Sequence, residues 1–254
     1  MTDALLRTRM LNGEMLAGTF MKTPAHELIE LLAMSGLDFV ALDAEHAPFD
    51  RGRMDACLAM ARALKFPVLV RTPDGSSAAI LNALDCGGTG IVVPHVASVE
   101  KAREIAKLAR FGHGGRGFAG STRWGGFATR PMADLMQQSK EETIVIAQIE
   151  EPEAVDAIDE IAAVEGIDGL FVGPADLAVC LGASGPAAPE VRAAIGKVGE
   201  AAHHHNRACI TFAPNTDDVA ELKKLGVSVF FIGSEQGMML AGAKAIAAGV
   251  KANA

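Results

Sequence analysis

Eight short apolar runs recur along this chain, and each is followed by a turn and a longer stretch of helical period. The run Phe-Val-Ala-Leu that begins at Phe39 is continuously apolar, as in a strand buried on both faces. Eight strand–helix units in 254 residues are typical of a (β/α)8 TIM barrel, an α/β fold, and the alternative is an open doubly wound sheet. We predict one barrel domain over residues 1–254, with strands at Leu16–Phe20, Phe39–Asp43, Pro67–Arg71, Gly90–Pro94, Ile144–Glu150, Gly169–Gly173, Ala208–Phe212 and Ser228–Gly233.

Composition excludes several classes of function. The net charge is −8 and no block of basic residues is present, which argues against binding to nucleic acid. No apolar run approaches the roughly 18 residues of a membrane helix, and the N-terminal sequence lacks the apolar stretch of a signal peptide. We therefore expect a cytoplasmic enzyme that binds no membrane. The cysteines form no C-x-x-C pair, so we expect small buried apolar residues in a reducing compartment at Cys57, Cys86, Cys180 and Cys209.

Polar and charged residues stand at the ends of four predicted strands. In a (β/α)8 barrel the C-terminal strand ends meet at one face, and that face holds the chemistry. A charged group at the end of an apolar strand is costly to bury without a partner, so five such groups from four strands indicate a site. These strand ends carry Asp43-Ala44-Glu45-His46-Ala47-Pro48, Arg71, Gln148-Ile149-Glu150 and Gly173-Pro174-Ala175-Asp176.

Glu150 and Asp176 are predicted to face one another from neighbouring strands. Two carboxylates suit a hard divalent ion that keeps water or substrate on its remaining positions. A pair that shares one proton, or a salt bridge to Arg71, is the alternative.

His46 and Arg71 each allow more than one role. With Asp43 and Glu45 beside it, His46 is a candidate general base, and the alternatives are a metal ligand or a loop histidine satisfied by its neighbours. Arg71 is a candidate for stabilising an oxyanion, and the alternative is a structural ion pair.

Two further features concern metal and imine chemistry. His203-His204-His205 looks like a metal-binding run, but consecutive residues on a helix point in different directions and share one ion poorly. We therefore predict an exposed helix end there. A Schiff-base aldolase needs an amine inside the barrel mouth, and only Lys22 among the lysines lies just past a strand end, which favours a metal over an imine.

Together these motifs resemble the class II, metal-dependent pyruvate aldolases, the family of 4-hydroxy-2-oxoheptanedioate aldolase and 2-dehydro-3-deoxyglucarate aldolase. The resemblance spans roughly residues 15 to 240. Departures are Ala44 in place of a common Gly, the segment Thr72-Pro73-Asp74 and an unexpected His95, and they concern the aldehyde pocket more than the metal. The resemblance rests on the strand-2 loop from Asp43 to Pro48, Val70-Arg71, Gln148-Ile149-Glu150, Gly173-Pro174-Ala175-Asp176-Leu177, Leu84-Asp85-Cys86-Gly87 and Gly115-Arg116-Gly117.

The resemblance implies a barrel of the phosphoenolpyruvate/pyruvate superfamily that assembles as a homo-hexamer, a trimer of dimers. It implies a divalent metal, Mg²⁺, Mn²⁺ or Co²⁺, held by Glu150 and Asp176. A 2-oxo acid would bind there, with the amides of Ala175 and Asp176 near its carboxylate. The substrate-binding residues implied beside Ala175 are Gln148, Gly173 and Pro174.

The resemblance also implies catalytic roles for four residues. Arg71 would stabilise the enolate oxygen and His46 would transfer a proton. Asp85 would orient His46, from the same chain or from a neighbouring subunit, and Asp43 would support the strand-2 loop. For the aldehyde pocket, candidate residues are Phe212 and Arg123, which could pair with a distal carboxylate or equally hold its own loop.

The expected activity is therefore the reversible cleavage of a 4-hydroxy-2-oxo acid into an aldehyde and pyruvate, or a close 2-oxo acid such as hydroxypyruvate, through a metal-bound enolate. One alternative is a citryl- or malyl-thioester lyase of the same superfamily, although the acidic chain shows no obvious basic cluster for coenzyme A phosphates. The other is a non-catalytic barrel that acts as an oligomeric binding subunit.

Overall fold

The computed structural model describes residues 5–253, and their eight parallel strands close into a barrel in the order β1 to β8. This confirms the (β/α)8 TIM barrel. Each predicted strand is present, with ends that differ by no more than one residue from the expected positions. The strands are β1 (Leu16–Met21), β2 (Phe39–Asp43), β3 (Val68–Arg71), β4 (Gly90–Val93), β5 (Ile144–Ile149), β6 (Gly169–Val172), β7 (Ala208–Ala213) and β8 (Val229–Ser234).

Helices surround the barrel between successive strands, with additional helices before β1 and within some connections. Within residues 5–253, no helix is long and apolar enough to cross a membrane. The helices are α1 (Leu6–Leu11), α2 (His26–Ala33), α3 (Arg51–Ala63), α4 (Ser77–Asp85), α5 (Val99–Leu108), α6 (Met132–Glu142), α7 (Pro152–Asp156), α8 (Ile158–Ala162), α9 (Pro174–Leu181), α10 (Pro189–His204), α11 (Val219–Lys224) and α12 (Glu235–Ala252).

Two hydrophobic cores explain why the strands are continuously apolar. In β2, Phe39 and Ala41 point into the barrel, whereas Val40 and Leu42 point outward against the helices. The barrel interior contains a cluster of aromatic rings, in which Phe231 lies 4.9 Å from Phe39 between ring centroids. Successive residues of one strand therefore pack in two different cores, so the residues on both faces of the strand must be apolar.

The cysteines differ partly from expectation. Cys57, Cys86 and Cys209 are buried and free, as predicted, and burial raises the pKa of Cys209 to about 12. Cys180 is exposed, because it lies on the outer face of α9. The terminal helix α12 has only one buried residue, Glu235, so its apolar residues do not pack on their own barrel within the described chain.

Candidate active site

An ion pair of β2 and β3 lies at the centre of the barrel mouth. Asp43 and Arg71 are register partners, and Nε and Nη2 of Arg71 donate to the two carboxylate oxygens of Asp43 at 3.0 and 2.8 Å. Burial raises the pKa of Asp43, but the hydrogen bonds and charge of Arg71 outweigh burial and hold the pKa below its usual value. The guanidinium also lies 4.4 Å above the ring of Phe20. Arg71 is therefore fixed in position.

The loop after β2 presents a carboxylate and an imidazole beside this pair. The backbone N–H of His46 donates to Asp43 at 3.1 Å, which holds the loop against the strand end. The His46 ring is exposed, and its Nε2 lies 3.6 Å from Glu45. Glu45 is largely buried and lies 3.3 Å from Nε of Arg71. Burial raises the pKa of Glu45 against the opposing charge of Arg71.

Glu150 follows β5 and is almost completely buried. Nε2 of Gln148 donates to its Oε2 at 2.5 Å, and the backbone N–H of His95 donates to its Oε1 at 2.8 Å. Within residues 5–253, the only basic group within ion-pair distance of Glu150 is the His95 imidazole, at 3.0 Å. Arg71 pairs with Asp43 and Glu45, so the alternative of a Glu150–Arg71 salt bridge is not what the structure shows.

Glu150 and Asp176 face one another across Gly173, where the chain leaves β6 and enters α9. A methyl group on Gly173 would lie 3.0 Å from Oε2 of Glu150 and 3.7 Å from Oδ2 of Asp176. Two carboxylates around a space that a side chain would fill form a donor set that fits a hard divalent cation. The carbonyl oxygen of the Gln148 side chain is buried and accepts no hydrogen bond from residues 5–253, so it is open to a bound molecule.

The beginning of α9 leaves backbone N–H groups without partners in the helix, next to the two carboxylates. Gly173 is the N-cap, and Pro174 is the first helical residue and has no N–H group. The next N–H groups, of Ala175 and Asp176, have no acceptor within the helix and point out of its first turn. Such a helix N-terminus binds carboxylates and phosphates. The structure places Gly173 to Asp176 directly after β6, where the sequence predicted the end of that strand.

Two predicted site residues are held by ion pairs with other residues of the chain. Asp85 is the last residue of α4, about 12 Å along that helix from its start. Its carboxylate accepts from Nη2 of Arg116 at 2.6 Å, and it makes no hydrogen bond to His46 within the chain. Arg123 forms a two-point ion pair with Asp55 at 3.0 and 2.7 Å, so it holds its own loop. Phe212, in contrast, lies at the mouth beside Phe20.

Other residues at the mouth were missed or only partly recognised. Nζ of Lys22 lies 3.4 Å from Asp43, and the backbone N–H groups of Lys22 and Thr23 donate to the buried Glu235. Glu235 follows β8 directly, and this strand-end position could have identified it. His95 has a left-handed backbone, with φ of 55°, and its Nδ1 lies 2.7 Å from Glu151. That strained backbone is recognisable only in the structure.

A closed parallel barrel with facing carboxylates, an arginine and a histidine at its C-terminal face defines an enzyme of the TIM-barrel class. The sequence profile of the HpcH/HpaI aldolase/citrate lyase family matches residues 16–241, and this chain belongs to that family. The aldolases of this family are carbon–carbon lyases, and the chain is an enzyme of that class.

Individual relatives resemble most of the chain. It is 34% identical over 220 residues to a 5-keto-4-deoxy-D-glucarate aldolase of Salmonella arizonae, which covers 86% of this chain and 85% of the relative. A crystal structure of a family member from Burkholderia cenocepacia is 29% identical with a TM-score of 0.90, and the match covers 97% of this chain and 98% of that one. The citrate synthase SbnG is 31% identical with a TM-score of 0.87, over 98% of both chains.

Proposed function

We propose that the chain is a class II pyruvate aldolase that reversibly cleaves 4-hydroxy-2-oxo acids to an aldehyde and pyruvate, or a close 2-oxo acid. The observation that carries this proposal is the pair Glu150 and Asp176, which face each other across Gly173 beside the open N-terminus of α9. A 2-oxo acid has a carboxylate and a neighbouring carbonyl oxygen. That combination matches a cation site next to a site for a carboxylate.

Glu150 and Asp176 are the residues that would hold the divalent ion, and Mg²⁺, Mn²⁺ and Co²⁺ all suit such oxygen donors. When bound, the ion would polarise the 2-oxo group as a Lewis acid. The negative charge of the site supports the binding of a cation. Glu150 is buried next to a second carboxylate, and among residues 5–253 only a histidine lies near enough to compensate it.

The substrate would be oriented by donors and acceptors of the protein. The first-turn N–H groups of Ala175 and Asp176 would hold its carboxylate. The free side-chain carbonyl of Gln148 would accept a hydrogen bond from the bound acid or its water. Phe212 and Phe20 would form the apolar side of the pocket, because both line the mouth next to Arg71.

Cleavage needs one proton to leave and one bond to break. In the cleavage direction, His46 would take the proton of the 4-hydroxyl group, directly or through water. The C3–C4 bond then breaks, its electron pair forms the enolate of pyruvate, and the hydroxyl carbon becomes the aldehyde. Arg71 would stabilise the negative charge on the enolate oxygen, since Asp43 fixes its guanidinium at the mouth. His46, which holds the proton of the former hydroxyl group, returns a proton to C3 directly or through water, and this completes the reaction.

Exchange of the pyruvate methyl protons for deuterium tests this proposal without knowledge of the aldehyde. NMR monitors the exchange. We expect exchange when Mg²⁺ or Mn²⁺ is present, and we expect the exchange to stop after the metal is removed by a chelator. His46→Asn and Arg71→Lys should each slow exchange about 100-fold or more, because each removes a group that acts on the reacting atoms. The exposed His113→Asn is a matched control and should exchange at the wild-type rate. Absence of exchange with a bound metal would contradict the proposal.

The oligomeric state is part of the proposal. We propose a homo-hexamer, a trimer of dimers, in which a second copy covers the apolar residues of α12. On this helix Met239, Ile246 and Val250 are each more than half exposed. The helix α2, which follows β1, also exposes Leu31, and its C-cap residue Met34 is exposed as well. In such an assembly Asp85 of one copy would be available to His46 of another.

Location and domain organisation complete the proposal. We propose that the whole chain acts as one domain in the cytoplasm. Its free cysteines, three of them buried, support a reducing compartment.

A further inference from the structure

Three donor atoms that suit a metal ion meet on the outer surface of the barrel. Oδ1 of Asp159, on α8, lies 3.3 Å from Nδ1 of His204 and 2.9 Å from Nε2 of His205. All three atoms lie within 4.8 Å of one another. His204 and His205 stand at the end of α10, just before β7 starts. The cluster is therefore at the end of the barrel opposite the active-site mouth.

The end of α10 explains how two consecutive histidines can point to one atom. We expected consecutive residues of a helix to diverge, and that expectation was wrong for this pair. The helix ends at His204, and His205 is the C-cap with φ of −99° and ψ of 10°. Asn206 follows with a left-handed φ of 55°. Departure from helical geometry lets the His205 ring turn beside that of His204, with ring centroids 4.5 Å apart.

The donor spacing suits one tetrahedral ion. Zinc binds histidine nitrogen and carboxylate oxygen at about 2.0–2.2 Å, so two donors on one tetrahedral zinc lie about 3.3–3.5 Å apart. The distance of 3.3 Å between Asp159 and His204 matches this spacing. The distance of 2.9 Å to His205 needs only a small side-chain rotation. The ring of His204 and the carboxylate of Asp159 are exposed. The fourth coordination position of a bound ion would therefore be open to water.

We propose that Asp159, His204 and His205 form a second metal site, which binds a divalent transition metal of the zinc type and links α8 to α10. Imidazole nitrogen prefers zinc, nickel and copper over magnesium. This site therefore differs in chemistry from the all-carboxylate pair in the mouth. A simple ion pair needs one imidazolium and one carboxylate, and it leaves the second imidazole unexplained.

Zinc and copper binding test the site. Zinc affinity is measured by titration calorimetry in an Asp176→Asn background, which weakens the site in the mouth. We expect His204→Asn and His205→Asn each to weaken zinc binding at least about tenfold. His203→Asn, the exposed neighbour outside the cluster, should leave the affinity unchanged. With Cu²⁺ bound, electron spin resonance should show coupling to two nitrogens, and one in either single variant.

The outcomes separate this proposal from the aldolase proposal. The Asp159→Asn protein should no longer bind zinc at the site between α8 and α10. It should retain metal-dependent exchange of pyruvate protons at the wild-type rate. Zinc should raise the melting temperature of the Asp176→Asn protein, and this shift should disappear when Asp159→Asn is added, because a ligand that binds only the folded state stabilises it. Equal zinc affinity in all three histidine variants, or copper signals without two-nitrogen coupling, would show a surface ion pair only and overturn the proposal.

Discussion

Asp43 and Arg71 form a buried pair whose stability should depend on pH. The Asp43 carboxylate is completely buried, and Asp43→Asn would leave the guanidinium without its main partner. We expect this change to lower the free energy of unfolding at pH 7 by about 3 kcal/mol or more. The pKa of Asp43 lies below its ordinary value of 3.8, so the stabilisation is complete above about pH 4 and is lost as pH falls through the folded-state pKa.

Urea unfolding of the wild type and Asp43→Asn between pH 7 and pH 3 measures this difference. The difference between the free energies of unfolding of the wild type and of Asp43→Asn should be constant near neutral pH. This difference should decrease below about pH 4. Asp55→Asn is the matched control, since it breaks a similar two-point pair with Arg123 at the surface. Its cost should be about 1 kcal/mol or less. A gap that stays equally wide at pH 3 would contradict the pKa assignment.

At the residue scale, position along a strand predicted which side chains reach the mouth but not how they pair. Asp43, Arg71 and Glu150 were recognised because each ends an apolar strand. The Asp43–Arg71 pair depends on the register between β2 and β3, which no local pattern contains. His95 was unexpected for a related reason, because its left-handed backbone and its contact with Glu151 are set by the loop after β4.

The junction between β6 and α9 should tolerate a methyl group structurally but not functionally. Gly173 has φ of −84°, so alanine fits its backbone conformation. A Cβ atom there would lie 3.0 Å from Oε2 and 3.2 Å from Cβ of Glu150, inside the space between the carboxylates. We expect Gly173→Ala to weaken Mn²⁺ binding about tenfold or more and to slow pyruvate exchange in parallel.

Manganese affinity by electron spin resonance and the melting temperature distinguish the two effects of Gly173→Ala. The melting temperature should change by only a few degrees, since a contact of about 1 kcal/mol is involved. Gly196→Ala is a suitable control, because its Cβ would meet only a Leu225 methyl at 3.7 Å. Unchanged manganese affinity in Gly173→Ala would show that the ion does not occupy the space between Glu150 and Asp176.

At the element scale, the alternation of strands and helices was predictable, and the side-chain directions at the end of a helix were not. Every strand was predicted because its two faces pack in two hydrophobic cores, which makes the strand sequence continuously apolar. The exposed end of α10 was predicted, but the approach of His204 and His205 to one oxygen atom was not, because the C-cap conformation of His205 lies outside any helical period. The apolar sequence of α12 does not indicate what covers this helix, since only Glu235 of α12 is buried within residues 5–253.

At the scale of the molecule, two observations concern the predicted site residues and the last helix. Asp85 pairs with Arg116 and Arg123 pairs with Asp55, and α12 leaves its apolar side chains uncovered within residues 5–253. A single chain thus supplies the carboxylate pair, Arg71 and His46, with Glu45 3.6 Å from the His46 ring, but its Asp85 makes no hydrogen bond to His46. An assembly of several copies would account for both observations.

Light scattering of the purified protein tests this assembly directly. We expect a hexamer for the wild type, and smaller species for Ile246→Asp because it places a charge on the exposed apolar side of α12. Lys244→Glu, a charge change on the same helix, is the control and should remain hexameric. The smaller species of Ile246→Asp should keep their helix content by circular dichroism and bind Mn²⁺ through Glu150 and Asp176. They should exchange pyruvate protons more slowly, since His46 would lack Asp85 of a second copy. A monomeric wild type with full exchange activity would contradict both the hexamer and the shared role of Asp85.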